Sequence, residues 1–265
     1  MIDPRDPLSA FAGLRDRDYA RSDLMVCEGR IVIEKALACG VRLRSMLCVQ
    51  ADEEEWQAIS AGTFSVFTMS RAQMAELLGF SFHRGTLALA DRPVPPEPDA
   101  IAPGPALALW NVTDPDNLGA LIRSAVALGA SRVYMGPGCA DPYGRKALRA
   151  SMACALGLPL VPVSSIDELR TSYVGLDGRG KDNLVVAAAL VPGALDPRSL
   201  VAAAAGRSIT LILGNEGWGL PHDLVSSCDE RVIVPMSDRV DSLNVGAAGA
   251  ILMWELFGAA ARFDF

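Results

Sequence analysis

Two polar residues that could do chemistry, Asn117 and Arg123, lie in the segment NVTDPDNLGALIRSAVALGA, residues 111–130. The apolar spacing of this segment predicts a helix, and Asp114 is expected to cap its start. A helical side chain leans over the residues three and four positions earlier, so Gly119 leaves the Arg123 guanidinium a path toward the helix start. A cation there opposes the helix dipole and favours an anionic partner such as a phosphate. Taken alone, however, Arg123 is better explained as a surface arginine.

A carboxylate among glycines follows an apolar run in the segment LILGNEGWGLP, residues 211–221. The glycines Gly214, Gly217 and Gly219 allow the backbone to come close to a ligand. Glu216 is expected at the carboxyl end of a strand, where ligands of parallel sheets bind. The spacing is not the GxGxxG of dinucleotide-binding loops and it lies on a late strand. Dinucleotide binding is therefore the weaker interpretation.

Tiny side chains dominate the start of a third segment, VIVPMSDRVDSLNVGAAGAILMWEL, residues 232–256. Pro235 is expected to end a strand, and Asp241 or Ser242 to cap the next helix. Residues 246–250 then read GAAGA. An interior glycine costs about 1 kcal/mol relative to alanine, so two within four positions indicate another backbone packed very close. Tight helix packing alone would explain them and is compatible with a functional role.

The elements that must position these residues follow from apolar runs that alternate with helical segments. The predicted strands are ALALWNV (106–112), SRVYMG, LPLVPV, NLVVAAAL, SITLILGN and ERVIVPM. Helices are predicted to open near Pro115, Arg145, Ile166, Pro197, Pro221 and Ser242. Buried strands alternating with helices predict an α/β fold with a parallel, doubly wound sheet. Its ligand is expected beyond the carboxyl ends of the strands, at the loops after residues 112, 190, 214 and 236.

The chain is predicted to contain two domains, because residues 91–106 hold six prolines and read as a linker. Upstream, helical spacing in GRIVIEKALACG and SRAQMAELLGF and strand-like runs in VRLRSMLCV, FSVFTM and GTLALA predict a small α/β domain. The expected boundaries are an N-terminal extension (1–22), the small domain (23–92), the linker (93–105) and a larger domain (106–265).

Composition limits the classes of function. The hydrophobic fraction of 51% supports a folded core, and the absence of a signal peptide or an apolar run of about 18 residues predicts a cytoplasmic protein. The net charge of -7 argues against coating nucleic acid through a global positive field, so any nucleic-acid binding would have to be local. Six cysteines without a CxxC pair and two distant histidines predict no bound metal.

In order and spacing, the three segments resemble the motifs of SpoU/TrmH-like RNA methyltransferases. The matching residues are N-x-x-D-P-x-N-x-G-x-x-x-R at 111–123, G-N-E-G-x-G-L at 214–220 and I-V-P-M-x(5)-S-L-N-V at 233–245. The resemblance covers about residues 106–258. It implies transfer of a methyl group from S-adenosylmethionine to a ribose 2′-hydroxyl of ribosomal or transfer RNA. It also implies a homodimer with a SPOUT fold, whose C-terminal segment forms a deep trefoil knot.

The resemblance assigns roles by position. The implied catalytic set is Arg123, Asn117, Glu216 and Asn244. The implied cofactor-binding set is Gly214, Val234, Met236, Ser242, Leu243 and Asn244, the backbones of Gly214, Val234 and Leu243 holding S-adenosylmethionine. Gly246 and Pro221 depart from residues that are frequent in the family, and neither departure removes a catalytic group. Arginine keeps its proton and is a poor base, so Arg123 is expected to position a phosphate and stabilise the developing alkoxide. The proton acceptor stays open between that phosphate and water.

The small domain resembles the substrate-binding domain that precedes the catalytic domain in many family members and is related to a ribosomal RNA-binding protein. The matching stretches are MVCEGRIVIEKALACGVRLRSMLC and LLGFSFHRGTLALA. Arg84 stands where many members have glutamine. The predicted RNA-binding residues are Arg30, Arg84 and Arg145, and the domain favours ribosomal RNA as the substrate.

Two other functions are compatible with this architecture. A non-catalytic RNA-binding dimer would use the knotted domain as a scaffold, but degenerate residues at Arg123, Glu216 or Asn244 would be expected and all three are present. A nucleotide-dependent oxidoreductase would need an early glycine loop followed about 20 residues later by an acidic residue. The segment from Asn111 to Gly119 does not supply that loop.

Overall fold

The structure, a computed structural model, describes residues 8–15, 19, 22–97, 101–171, 183–215 and 217–257. Its strands are β1 (Leu24–Glu28), β2 (Leu43–Val49), β3 (Ser65–Met69), β4 (Thr86–Asp91), β5 (Ala106–Leu109), β6 (Arg132–Met135), β7 (Leu160–Pro162), β8 (Asn183–Ala188), β9 (Ser208–Leu213) and β10 (Glu230–Val232). Its helices are α1 (Arg30–Ala38), α2 (Glu53–Ser60), α3 (Arg71–Leu78), α4 (Pro115–Ala127), α5 (Arg145–Ala150), α6 (Ile166–Thr171), α7 (Pro197–Ala204), α8 (His222–Ser227) and α9 (Val245–Phe257).

The chain forms two compact units. The first consists of Met1–Val94 and Asp141–Gly157, and the second of Pro95–Ala140 and Leu158–Phe265. The first unit has a four-stranded sheet in the order β1-β4-β2-β3, in which β4 is antiparallel to β1 and β2 while β2 and β3 are parallel. Apolar side chains from this sheet and from α3 pack with Phe11 into the core of the unit.

The segment Asp141–Gly157, with α5, belongs to the first unit, whereas it was predicted to lie in the larger domain. Arg92 binds Asp141 through both terminal nitrogens, at 2.7 and 2.8 Å. Arg145 of α5 contacts the nearly buried Glu28 carboxylate at 3.5 Å. These ion pairs join residues far apart in the chain, and such contacts leave no periodic pattern in a sequence.

The second unit is built on a six-stranded sheet in the order β10-β8-β9-β5-β6-β7. Every pairing in it is parallel, which confirms the predicted α/β fold with a parallel sheet. Each of the six predicted apolar runs contains one of its strands, although the strands are shorter than the runs. Because parallel strands end at one edge, the loops after β8, β9 and β10 meet there.

The last helix, α9, begins later than predicted. Asp241 or Ser242 was expected to cap it, but the cap is Asn244, whose Oδ1 accepts hydrogen bonds from the amides of Gly246 and Ala247 at 2.9 and 3.2 Å. These two amides have no partner within the helix, so the asparagine oxygen supplies what the first turn lacks.

Helix α9 packs against α4, α7 and β9. One of its two glycines, Gly249, is closely surrounded by side chains of these elements. A Cβ atom on Gly249 would lie 2.7 Å from Leu213 Cδ1 of β9 and closer still to Leu121 Cδ2 of α4. At Gly246 the nearest atom to such a Cβ would be Asn244 Oδ1, at 3.0 Å. Gly249 therefore meets the predicted requirement for close approach, here against side chains of α4 and β9.

We predict that Gly249→Val lowers the melting temperature, because overpacking a tight contact costs about 1–3 kcal/mol. Ala247→Val is the matched control, since Ala247 lies on the exposed face of the same helix. Differential scanning calorimetry of both variants measures the effect. A melting temperature of Gly249→Val at or above that of the unsubstituted protein would contradict the packing at this contact, because valine is otherwise the better helix former.

Candidate active site

A cleft of about 480 Å³ lies in the second unit, at the carboxyl edge of the sheet. The segments after β8, β9 and β10 line it, as three of the four predicted loops require. The fourth predicted loop, after residue 112, contributes no lining residue in the part of the chain that the structure describes. Among the lining residues are five of the predicted cofactor-binding residues: Gly214, Val234, Met236, Ser242 and Leu243.

The glycine-rich turn after β9 brings two stretches of backbone together. A Cβ atom on Gly214 would lie 2.7 Å from the carbonyl carbon of Gly219 and 2.8 Å from its oxygen. Gly219 itself has a φ of 68°, which favours glycine. The Asn215 side-chain oxygen accepts hydrogen bonds from the amides of Gly217 and Trp218 at 2.8 and 3.2 Å, which fixes the turn.

This turn is tied to the one before α4. The Asn215 side-chain amide donates to the Asn111 carbonyl oxygen at 2.9 Å. Asn111 has a φ of 56°, a conformation that asparagine adopts more readily than most residues. The first and second motifs are therefore joined by a hydrogen bond between Asn215 and Asn111, neither of which was predicted as a site residue.

The first and third motifs are joined by Asn244 and Asn117. The Asn244 Nδ2 donates to Asn117 Oδ1 at 2.9 Å, while its oxygen caps α9. The cap leaves only the amide nitrogen to face α4, so the orientation of the Asn244 side chain is determined. Asn117 is held in turn because its backbone amide donates to Asp114 Oδ1 at 3.0 Å, which confirms Asp114 as the cap of α4.

Arg123 lies on the same helix, six residues beyond Asn117, and is exposed. Among the described residues, its guanidinium forms no hydrogen bond or ion pair. Its charge is thus available to a ligand from solution. Glu216, the remaining predicted catalytic residue, lies outside the described residues.

The cleft offers backbone groups and apolar surface rather than charge. Its described lining contains no Asp, Glu, Lys or Arg, and its polar side chains are those of Asn215, Ser242 and His222. In the described ranges, the backbone amides of Val234 and Leu243 make no backbone hydrogen bond. Such a site suits a ligand held by main-chain hydrogen bonds and apolar contact.

Trp218 lines this cleft and is 89% exposed, and it was not among the predicted site residues. The sequence could have indicated it, because Trp218 stands between two glycines in a turn after a strand. Such a turn offers little core in which a tryptophan can be buried. Within the described chain, no group of three or more His, Cys, Asp and Glu side chains is arranged to hold a metal ion. Nor is any described helix long and apolar enough to cross a lipid bilayer.

Comparison with known proteins places these motifs in context. The model of the SpoU rRNA Methylase family matches residues 105–254. An uncharacterized tRNA/rRNA methyltransferase of Mycobacterium tuberculosis is 34% identical over 96% of this chain and 90% of its own length. The 23S rRNA (guanosine(2553)-2′-O)-methyltransferase RlmP of Bacillus subtilis is 35% identical over 56% of this chain and 55% of its own.

A similar fold is seen in the SpoU methyltransferase AviRb of Streptomyces viridochromogenes, solved in complex with the cofactor AdoMet. The two structures superpose with a TM-score of 0.78 at 24% identity, over 96% of this chain and 97% of the other. The likeness at this level of identity concerns the fold.

We predict that the two roles of Asn244 can be separated. Asn244→Ala removes both the cap and the bond to Asn117, and should lower the free energy of unfolding by about 0.5–2 kcal/mol. Asn244→Asp keeps an oxygen for the cap but loses the amide that donates to Asn117, so it should be more stable than Asn244→Ala. Urea unfolding of both variants measures the difference. Equal losses in the two variants would show that the cap contributes nothing measurable.

Proposed function

The chain belongs to the SpoU rRNA methylase family, and on that basis we propose that it transfers a methyl group from S-adenosylmethionine to a ribose 2′-hydroxyl of RNA. The observation that carries this proposal is the 2.9 Å hydrogen bond between Asn244 and Asn117. This bond joins the first and third motifs beside the cleft, because Asn244 stands in the chain between Leu243 and Val245, which both line it. The pair holds α4, which carries Arg123, against the start of α9, next to the residues that line the cleft.

The cleft fits the cofactor that the family uses. Its volume of about 480 Å³ falls within the range of roughly 300–1,000 Å³ that is usual for small-molecule pockets. The close approach of backbone at Gly214 leaves a cradle that any larger residue would fill. Gly214, Val234 and Leu243 would hold S-adenosylmethionine through their backbones, with Met236, Ser242 and Asn244 beside them. When bound, it supplies an electrophilic methyl group on its sulfonium.

The residues of the chain have to bring the ribose to that methyl group. Arg123 is exposed and unpaired among the described residues, so it can bind the phosphate beside the target ribose. Binding of the phosphate to Arg123 positions the 2′-oxygen. It also brings the guanidinium near the negative charge that develops on that oxygen. Deprotonation then falls to the phosphate or to water, because arginine does not release its proton. Asn117 and Glu216 complete this set in our proposal.

We propose ribosomal RNA as the substrate. The Bacillus subtilis relative is named for 2′-O-methylation of a guanosine in 23S rRNA. The predicted RNA-binding domain at residues 23–92 also favours ribosomal RNA. The chain would then act in the cytoplasm, on ribosomal RNA.

A homodimer is part of the proposal. Three apolar side chains of α4 and α9 are exposed, Val126 by 40%, Ile251 by 42% and Trp254 by 62%. Burial of apolar surface contributes about 25 cal/mol per Å², so a second copy covering these helices would be stabilised. We also propose the knot that the family resemblance implies. The chain leaves the edge strand β10 and returns to pack α9 against α4 and β9, as a knotted segment would require.

We predict that Arg123→Ala reduces methyl transfer to RNA by about 10²–10³-fold while the affinity for S-adenosylmethionine stays nearly unchanged. The reason is that the guanidinium should contact RNA and not the cofactor. Transfer is measured by incorporation of a tritiated methyl group into unmodified ribosomal RNA, and affinity by calorimetry with S-adenosylhomocysteine. Arg198→Ala, which removes another exposed arginine from the second unit, should leave both unchanged.

Two results would count against the assignment. A large loss of cofactor affinity in Arg123→Ala would place the guanidinium at the cofactor instead of the RNA. Full transfer activity in this variant would remove Arg123 from the reaction. If the unsubstituted chain binds RNA but transfers no methyl group, the non-catalytic RNA-binding alternative would be favoured.

A further inference from the structure

Three guanidinium groups of the first unit converge on one carboxylate. Arg84 Nε and Arg149 Nη1 both lie 3.3 Å from Glu28 Oε1, and Arg145 Nη1 lies 3.5 Å from Glu28 Oε2. The Glu28 side chain is only 10% exposed, whereas Arg84 and Arg149 are 52% and 38% exposed. The carboxylate is thus enclosed by cations whose outer sides face solvent.

Neutralising Glu28 does not require this many cations. A single guanidinium supplies one positive charge, which equals the one negative charge of the carboxylate. Here Arg84 and Arg149 share one carboxylate oxygen, and neither makes another side-chain hydrogen bond or ion pair among the described residues. The carboxylate carries one negative charge in total, so it cannot balance both of these guanidiniums. The pair therefore keeps an excess of positive charge on the surface of a chain whose net charge is -7.

At Arg30, in the same unit, carboxylates outnumber guanidiniums. Its two terminal nitrogens each lie 2.6 Å from the Glu55 carboxylate, and it also contacts Glu34 at 3.3 Å. The hydrogen bond from Arg30 lowers the pKa of the Glu55 carboxyl, so both partners stay charged. The guanidinium also stacks over the Trp56 ring, 5.1 Å from its centroid. Arg30 was predicted to bind RNA, but its charge is already balanced by two carboxylates.

The geometry around Glu28 is fixed before any ligand arrives. The Arg145 guanidinium lies over the Phe80 ring at 5.2 Å, which holds one side of the cluster. Arg84 Cδ would lie 3.4 Å from a Cβ atom on Gly29, so the arginine stem runs close along the backbone beside Glu28. Arginines held in place lose less conformational entropy on binding a ligand than mobile ones do.

We propose that Arg84 and Arg149 form a phosphate-binding site for the backbone of the RNA substrate, with Glu28 holding the two guanidiniums in register. The ligand class is a phosphodiester, because planar guanidiniums bind phosphate oxygens in paired hydrogen bonds. Such contacts set the position and orientation of an RNA and carry no sequence information. The inference rests on the proposed function for its ligand, but its residues lie outside the methyl-transfer cleft.

The test is the salt dependence of RNA binding. Affinity for an unmodified 23S ribosomal RNA transcript is measured by filter binding over a series of potassium chloride concentrations. Each lost phosphate contact reduces the slope of log affinity against log salt by about 0.7–0.9. Arg84→Ala combined with Arg149→Ala should therefore lower the slope by about 1–2 and weaken binding about tenfold or more. Arg44→Ala, which removes an exposed guanidinium of the same unit that is paired with Asp91, is the matched control and should change neither quantity.

Two further variants separate loss of phosphate binding from misfolding: one keeps the positive charges, and one introduces a residue that is common in the family. Arg84→Lys combined with Arg149→Lys should keep most of the slope, because the charges remain. Arg84→Gln introduces the residue that many family members have here, so it should fold normally and lose about one contact. If the double lysine variant loses as much of the salt slope as the double alanine variant, or if Arg44→Ala loses as much of it as either, the phosphate site is overturned.

The failures of this inference and of the proposed function are distinguishable. If the unsubstituted protein binds and methylates the transcript while the double alanine variant keeps its full salt slope, only the phosphate site is wrong. If the double alanine variant instead has a raised KM for RNA and an unchanged kcat, the phosphate site is supported. If the unsubstituted protein neither binds nor methylates RNA, the proposed function fails and this inference fails with it.

Discussion

The side chain of Asn244 makes the connection on which the candidate active site depends. Its oxygen satisfies two amides of the first turn of α9, and its nitrogen reaches Asn117 on α4 at 2.9 Å. Both ends of one small amide are used, so neither helix can rotate without losing a hydrogen bond. The tight contact of Gly249 with Leu213 and Leu121 then holds α9 against β9 and α4 along the rest of the interface. Asparagine suits this position because it carries a donor and an acceptor on one short side chain.

A second amide plays the same part at the other side of the site. Asn215 closes its own turn through its oxygen and reaches the Asn111 carbonyl through its nitrogen. The first motif is therefore joined to each of the other two by a neutral hydrogen bond, and the cations proposed to bind RNA face solvent. The exposed cations are Arg123 in one unit and Arg84 with Arg149 in the other. Among the described residues, Arg123 has no acidic partner, and Arg84 and Arg149 share one carboxylate. In a chain of net charge -7, this local arrangement is what would let an RNA bind.

The sequence allowed the parallel sheet, three of the four ligand-facing loops and the cap at Asp114 to be predicted, because these follow from apolar periodicity and from local capping rules. It did not determine which residue caps α9. Asp241, Ser242 and Asn244 all suit a cap, and the contact with Asn117, 127 residues away, favours the last. The short β1 and the acid-rich α2 were also missed, since neither has a clear periodic pattern. The place of α5 depends on ion pairs with distant residues such as Glu28, which no local pattern encodes.

The central claim is that this chain methylates the ribose of RNA. The most direct test incubates the purified protein with unmodified ribosomal RNA and S-adenosylmethionine whose methyl group is deuterated. The RNA is then digested to nucleosides and analysed by mass spectrometry. Our account predicts that the label appears in one 2′-O-methylnucleoside, with the added mass on the ribose fragment. Label on a nucleobase, or RNA that stays unlabelled while the cofactor is bound, would contradict it.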